Sequence, residues 1–493
     1  MTQEQKQEKK KPGLFKKILK WIGLSILTLL ILLALFYEAP KKLVILLLII
    51  LAAFTALPKP ARKWFWLSVS TVILILIVWI FLPEDNEGWR PYTFDEELAA
   101  MEAKHAIPDE ENAATIYNEL MENHTGKELQ PDFLNRELDN MTLKEQWTSK
   151  EQPELAQWLQ EQQDIMDRLL QAARKDKCQL KINIQPVVTD KLEVNRYPVL
   201  RGGGCLLIRA GNNDMAEGRI DQALEKYFCA LRIANHLFQQ QKMLDFMVGS
   251  SIEDLTLRQL NRFVIEGRPT AEQLQLISDS TRDLKNNWCS DLSKFLDFEK
   301  LYSKNMLCGI HYDINREGKV RFSRGTLART TDQTRNGTYT RRKCAKLRTI
   351  FAWFYVPSSP EKIGKFVDAG FEKHYAMTSP DFDWNTQADQ HKPRSMLNYG
   401  YMVEFMTSLT YPVYFQIHEK YQKHLTLRRG SRLLIAIKQY QIEHGVWPPD
   451  LDLIKSAAPA EAFIDPVTGN QLQYENHGER FSLYGETANI WPK

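Results

Sequence analysis

The sequence predicts a mainly α protein with N-terminal transmembrane helices, an extracytoplasmic helical domain, and a small α+β C-terminal unit containing a β-hairpin. Three observations predict it. Uncharged apolar runs occupy 21–37, 43–57 and 64–82. Apolar residues then recur at three- and four-residue spacings through much of 95–302. Near the C-terminus, Pro, Asp-Pro and Gly steps break that period and bracket two short alternating segments. The 493 residues suit two to four folding units, and 25% charged with 44% hydrophobic residues excludes wholesale disorder. A mean hydropathy of −0.39 excludes a chain made mostly of membrane spans.

The three runs are 17, 15 and 19 residues long. At about 1.5 Å per residue the third covers roughly 28 Å, close to a hydrocarbon core of about 30 Å. The second is short and needs flanking residues, local thinning or a re-entrant arrangement. Trp21, Tyr37, Trp64, Trp66 and Trp79 lie near run ends, where aromatic rings favour the interface. Residues 1–20 carry seven Lys against Glu4 and Glu8, and Lys59, Arg62 and Lys63 separate the second and third runs. The opposite side holds Lys41 and Lys42 and then the acidic exit Glu84, Asp85 and Glu87. The positive-inside rule therefore expects a multi-pass plasma-membrane protein, N-terminus cytoplasmic and 83–493 outside. A non-spanning second run would return the large part to the cytoplasm. The net charge of +3 is thus divided, with a basic membrane end and a body that sums to −6. Six cysteines (Cys178, Cys205, Cys229, Cys289, Cys308, Cys344) all follow the spans. Disulfides and buried free thiols both remain open, and the absence of CxxC gives no support to a zinc ribbon.

The expected organisation is a basic cytoplasmic tail (1–20), three transmembrane helices (21–82), a helical domain (83–303), a basic loop with an irregular segment (304–398), and helices with the terminal unit (399–493). Helices are expected at Glu111–Glu122 and Pro153–Arg174, the latter through Leu155, Trp158, Leu159, Met166, Leu169 and Leu170. Gln179–Thr189 is β-prone. Gly202, Gly203 and Gly204 read as a flexible turn, since no Gly-Lys-Ser/Thr completes a phosphate-binding loop. A helical hairpin follows over 205–240, and helices continue over Leu244–Val264 and Ala271–Tyr302.

The hairpin resembles a tetratricopeptide unit. Gly211 stands inside the first helix and Gly218 between the two. Ala223 stands at the helix crossing, Tyr227 is the aromatic beneath it, and Ala230 belongs to the closing small-plus-apolar pair. Leu207, Asp214 and Asn235 depart from the pattern, and a step of 34 residues either way yields no second copy. The resemblance implies one degenerate unit inside a helical domain.

Residues 311–348 carry a local +8, including Arg316, Arg321, Arg324, Arg341, Arg342 and Lys343. They read as an exposed loop or ragged hairpin, either a solvated surface or a contact for an anionic lipid, glycan or acidic partner. With only Tyr312, Phe322 and Tyr339 interleaved, nucleic acid is not the expected partner. The run Ile350–Val356 is too short to span and reads as a buried segment or a docking patch.

The terminal helix 431–444 buries Leu433, Leu434, Ile437 and Tyr440 and ends at Gly445. Pro448 and Pro449 forbid continuation, Asp450 can cap a short helix over Leu451–Lys455, and Leu472 and Tyr474 face Phe481 and Leu483 across a turn at 476–478. Through His444-Gly445, Trp447-Pro448, Asp465-Pro466 and Tyr484-Gly485, this unit resembles the soluble end of type II secretion pseudopilins over about 60 residues. The polar segment His418–Arg432 that precedes it departs from a pilin, whose apolar leader helix runs directly into the unit. The whole arrangement resembles uncharacterised membrane-anchored proteins of planctomycete-type bacteria, which implies architecture and no activity.

No catalytic motif emerges, so the chain is not expected to be an enzyme, and no cofactor or metal is expected. His418-Glu419 starts like HExxH, but Gln422 stands at the ligand position and His424 at i+6. Gly249-Ser250-Ser251 lacks a nucleophile elbow, and Asp109, Glu110 and Glu111 suit a helix start. Asp465 is a turn residue or a calcium ligand, and His236 and His374 are isolated. The expectation is a membrane-anchored extracytoplasmic interaction or scaffold protein with the bilayer and envelope proteins as partners. The alternatives are an envelope enzyme with an unrecognised site and a secretion or pilus accessory factor.

Overall fold

The computed structural model describes residues 71, 87–182, 191–282, 287–322, 359–384 and 399–491. Apart from Thr71, the tail, the three expected spans and the run Ile350–Val356 lie outside them. Among the described residues no helix is long and apolar enough to cross a membrane.

In chain order the elements are β1 (Trp89–Pro91), α1 (Asp95–Lys104), α2 (Ala114–Asn123), α3 (Arg136–Lys144), α4 (Pro153–Glu161), α5 (Gln163–Ala173), α6 (Lys191–Ala216), α7 (Ile220–Phe238), α8 (Met243–Glu266), α9 (Ala271–Arg282), α10 (Trp288–His311), β2 (Tyr312–Asn315), β3 (Val320–Phe322), α11 (Pro360–Tyr375), α12 (Tyr399–His444), β4 (Gln473–Asn476), β5 (Phe481–Tyr484) and β6 (Asn489–Trp491). The described part is mainly helical with two small antiparallel sheets.

One compact unit contains the described residues of 87–93, 304–322, 359–371 and 399–410. Its sheet has the order β1-β2-β3. Asn315 accepts from the Glu317 and Lys319 backbone N–H groups, and Gly318 takes φ +79° to close the β2–β3 turn. The start of the predicted basic loop is therefore an ordered hairpin.

The second unit contains the described residues of 94–303, 372–384 and 411–491. Its central core draws on α7 (Ala223, Leu224, Tyr227, Leu231), α8 (Leu257, Leu260, Phe263, Val264), α9 (Leu274, Ile277) and α12 (Leu427, Ile435). A second core joins Leu433, Leu434 and Ile437 of α12 to Leu451, Ile454, Phe463, Leu472, Phe481, Leu483 and Ile490. At about 1.5–3 kcal/mol per buried large apolar side chain, each cluster is a substantial favourable contribution to the stability of this unit.

Three local expectations are corrected. The glycine run 202–204 lies inside α6 and is not a turn. Successive residues point about 100° apart around a helix, and each glycine meets a different neighbour. A Cβ on Gly202 would lie 2.9 Å from Leu129 Cβ, on Gly203 3.0 Å from Leu169 Cδ1, and on Gly204 3.0 Å from Ile252 Cδ1. Close packing on three sides, which a local reading of the run does not contain, outweighs the low helix propensity of glycine. Secondly, 153–174 is two helices with a break at Gln162. Thirdly, of the β-prone Gln179–Thr189, residues 179–182 form no strand, and 183–189 lie outside the described residues. Side-chain amides replace the neighbouring strand: the Cys178, Gln179 and Leu180 backbone N–H groups donate to Gln239, Asn112 and Gln240 at 2.8, 2.9 and 3.0 Å.

The C-terminal unit follows the expected punctuation. Gly445 takes φ +77° after α12, and Asp450 accepts from Asp452 N–H at 2.9 Å to start a short 3-10 turn. The hairpin pairs Tyr474 with Leu483, and β6 adds a strand that the sequence reading lacks.

Candidate functional site

The predicted packing residues of the hairpin meet as α6 and α7. A Cβ on Gly211 would lie 2.6 Å from the Tyr227 ring, so glycine is what lets the ring lie against α6. The Tyr227 hydroxyl donates to Asn212 Oδ1 at 2.7 Å, and Ala223 and Ala230 are fully buried. Gly218 takes φ +78° between the helices. Gly211, Ala223, Tyr227 and Ala230 are buried in the helix–helix contact and closed to a ligand, while Gly218 is exposed in the turn.

Of the basic-loop residues, Arg316 is exposed in the β2–β3 turn. Arg321 pairs with the fully buried Asp313 at 3.4 Å and lies 4.1 Å over the Trp89 ring, so its charge serves the sheet. Arg324, Arg341, Arg342 and Lys343 lie outside the described residues.

The other face of α6 forms a groove. Val194, Tyr197, Pro198, Arg201, Cys205 and Arg209 recur at helical spacing and line a cavity of about 680 Å³. The opposite wall is the segment 125–130 with Asp139 and Leu143 of α3. Two close approaches fix that wall: Gly126, whose Cβ would lie 2.3 Å from Pro198 Cβ, and Leu129 against Gly202. The Asn195 amide donates to the Met121 and His124 carbonyls at 2.8 and 3.1 Å, tying the end of α2 to α6. Arg209 is consumed by Asp139 and by the Thr142 hydroxyl at 3.3 Å. Lys127 and Arg201 are exposed, and among the described residues neither has an ion pair. Val194 is 56% exposed beside them.

A second constellation is buried, and sequence reasoning missed it. Glu253 of α8 is fully buried. It accepts from Arg428 of α12 through Nε, and through Nη2 at 2.6 Å. His424 places Nε2 at 3.0 Å from Glu253 and Nδ1 at 2.5 Å from Asp254. Both ring nitrogens face carboxylate oxygens, which requires the doubly protonated imidazolium. Burial opposes that charge, but the Glu253 charge and the hydrogen bonds that His424 donates to both acids outweigh it and push His424 up to about 8. Burial works against the Glu253 carboxylate as well, and the Arg428 and His424 charges overcome it and hold it down to about 2. The Phe238 ring, 5.1 Å from the Arg428 guanidinium, closes the cluster. Each acid and each ring nitrogen is committed internally. The only signal in the sequence was His424 and Arg428 at i and i+4, a spacing that names no partner.

His236, His418 and His374 are packing groups. His236 donates from Nε2 to the Lys175 carbonyl at 2.8 Å and accepts from the Tyr117 hydroxyl at 2.9 Å. Burial pushes it down to about 4. His418 stacks on Trp384 at 4.0 Å, with Trp288 at 5.1 Å and Gln422 at 2.9 Å, and burial likewise lowers it to about 4. His374 is buried edge-on to Tyr414. Asp465 gives its oxygens to the Val467 and Glu486 backbone N–H groups at 2.9 and 2.6 Å, as a turn residue. Cys178, Cys205, Cys229, Cys289 and Cys308 are free thiols, and among the described residues no acid, His and Cys cluster could hold a metal. No protein-family model, curated protein or solved structure matches the chain.

Proposed function

We propose that this chain is a membrane-anchored, extracytoplasmic interaction or scaffold protein whose helical unit presents the α6 groove to an envelope partner. One observation carries the reading. In the groove, exposed cations without ion pairs stand beside an exposed apolar side chain, whereas the buried Glu253 and His424 are spent on one another, on Asp254 and on Arg428. Such a surface offers contacts without convergent reactive groups. The tetratricopeptide-like pairing of α6 and α7 supports it, since the pair leaves one face of α6 to the groove while the other is closed by Tyr227. The membrane anchor rests on the three apolar runs and the distribution of Lys and Arg around them.

Protease protection on spheroplasts tests the location. Digestion of residues 83–493 from outside is the expected result, and full protection until lysis would place them in the cytoplasm and overturn the reading. Affinity capture of the full chain from solubilised envelopes tests the role. Recovery of a reproducible stoichiometric partner is expected, and recovery of the chain alone under mild detergent counts against a scaffold.

A further inference from the structure

We infer that the α6 groove takes an extended, acidic peptide segment of a partner protein, its carboxylates meeting Lys127 and Arg201 and an apolar side chain resting on Val194. The inference rests on the interaction reading above and names the chemistry of its partner.

Shape and charge both favour a peptide. The lining runs along α6 from Val194 to Arg209, which at about 1.5 Å per residue is roughly 22 Å. An extended chain at about 3.3 Å per residue covers that length with six or seven residues, far more than a compact metabolite. The two walls are held by the Gly126–Pro198 and Leu129–Gly202 contacts, so the groove exists before anything enters it and little ordering is needed on binding. Its charges are unequal. Asp139 is neutralised by Arg209, which leaves Lys127 on one wall and Arg201 on the other with no ion-pair partner among the described residues. Two cations on facing walls favour carboxylates at neighbouring positions of a strand between them, since successive side chains point to opposite faces, and reject a basic segment. The long stems of Lys and Arg, with Pro198 and Val194, supply apolar surface for the residues between the acids.

The test uses the full chain in nanodiscs of neutral lipid and a fluorescein-labelled octapeptide of two Glu-Glu-Val-Val repeats, which carries acids on both faces when extended, followed by anisotropy. The Lys-rich tail also attracts anions, so the readout is the difference made by groove variants and not total binding. The combined variant Lys127→Glu with Arg201→Glu is expected to weaken binding at least tenfold. The glutamine–valine isostere is expected to bind wild type at least tenfold more weakly, and Val194→Asp several-fold more weakly toward the acidic peptide. An unchanged unfolding midpoint in the variants excludes misfolding as the cause. Equal binding of the acidic and glutamine peptides, or indifference to the charge reversals, overturns the inference. If partners still co-purify with the charge-reversed chain, the groove assignment fails while the scaffold reading stands. If no partner co-purifies with wild type, the scaffold reading is the one that fails.

Discussion

Two charged regions of the helical unit are built from the same residue types and behave in opposite ways. At the α8–α12 contact, Glu253, His424 and Arg428 are buried and satisfy one another. Along α6, Lys127 and Arg201 stand in solvent and satisfy nothing within the described chain. The first arrangement is costly to break because each partner left behind would be a charge in a low-dielectric interior. The second costs the fold almost nothing to alter. Charge count therefore carries little information about role, and the useful quantity is what a charge has left to offer after folding.

That contrast can be broken most forcefully at Arg428. Replacing it with methionine leaves Glu253 buried with His424 alone, and the expected loss is about 3–5 kcal/mol in denaturant unfolding. A loss below about 1 kcal/mol would mean that water reaches the network and that the two regions do not differ. Next comes the wall of the groove. Gly126→Ala forces a Cβ against Pro198, and roughly 1–3 kcal/mol of destabilisation is expected, together with weaker peptide binding. An unchanged midpoint would show that the wall yields, and that the groove is not preformed.

The pH dependence sharpens the same comparison. His424 is raised, so its contribution is fully present below its unfolded value near 6.5 and is lost as pH rises through about 8. Glu253 is lowered, so its contribution is present above its unfolded value near 4.5 and disappears as pH falls through about 2. Between pH 6 and pH 9 the loss from His424 is expected to be on the order of 2 kcal/mol. His424→Gln should flatten that slope, and a slope that survives the substitution assigns it to another group. The smallest effect is expected at Arg201→Ala, within about 0.5 kcal/mol of wild type in the same unfolding measurement. A larger loss there would make Arg201 part of the fold.

Much of the architecture was legible because it is written locally. The boundaries at Gly218, Gly445 and Asp450 follow from backbone chemistry that acts over two or three residues. Leu155, Leu159, Met166 and Leu169 are buried as their spacing indicates. What the sequence hid depends on distant neighbours. The glycines at 202–204 look like a turn until Leu129, Leu169 and Ile252 are brought to them. The amides of Gln239 and Gln240 look like ordinary helical residues, yet they hold the backbone of Cys178 and Leu180 some 60 residues earlier. The candidate groove was the least legible, because its cations come from segments 74 positions apart and only the fold pairs them. The Glu253 network, separated by more than 170 positions, shares that difficulty.

The two-sided burial of α12 has a consequence for any attempt to divide this chain. Leu427 and Ile435 belong to the core of α7, α8 and α9, while Leu433, Leu434 and Ile437 belong to the core of the terminal strands. Between Leu427 and Ile437 the helix is thus covered by a core on each of two faces, and melting either core strips the other of a supporting wall. The terminal sheet and the central helices should denature in one cooperative transition. A truncation at residue 444, which by outline looks like the removal of an appendage, instead exposes a greasy helical stripe and invites aggregation and proteolysis.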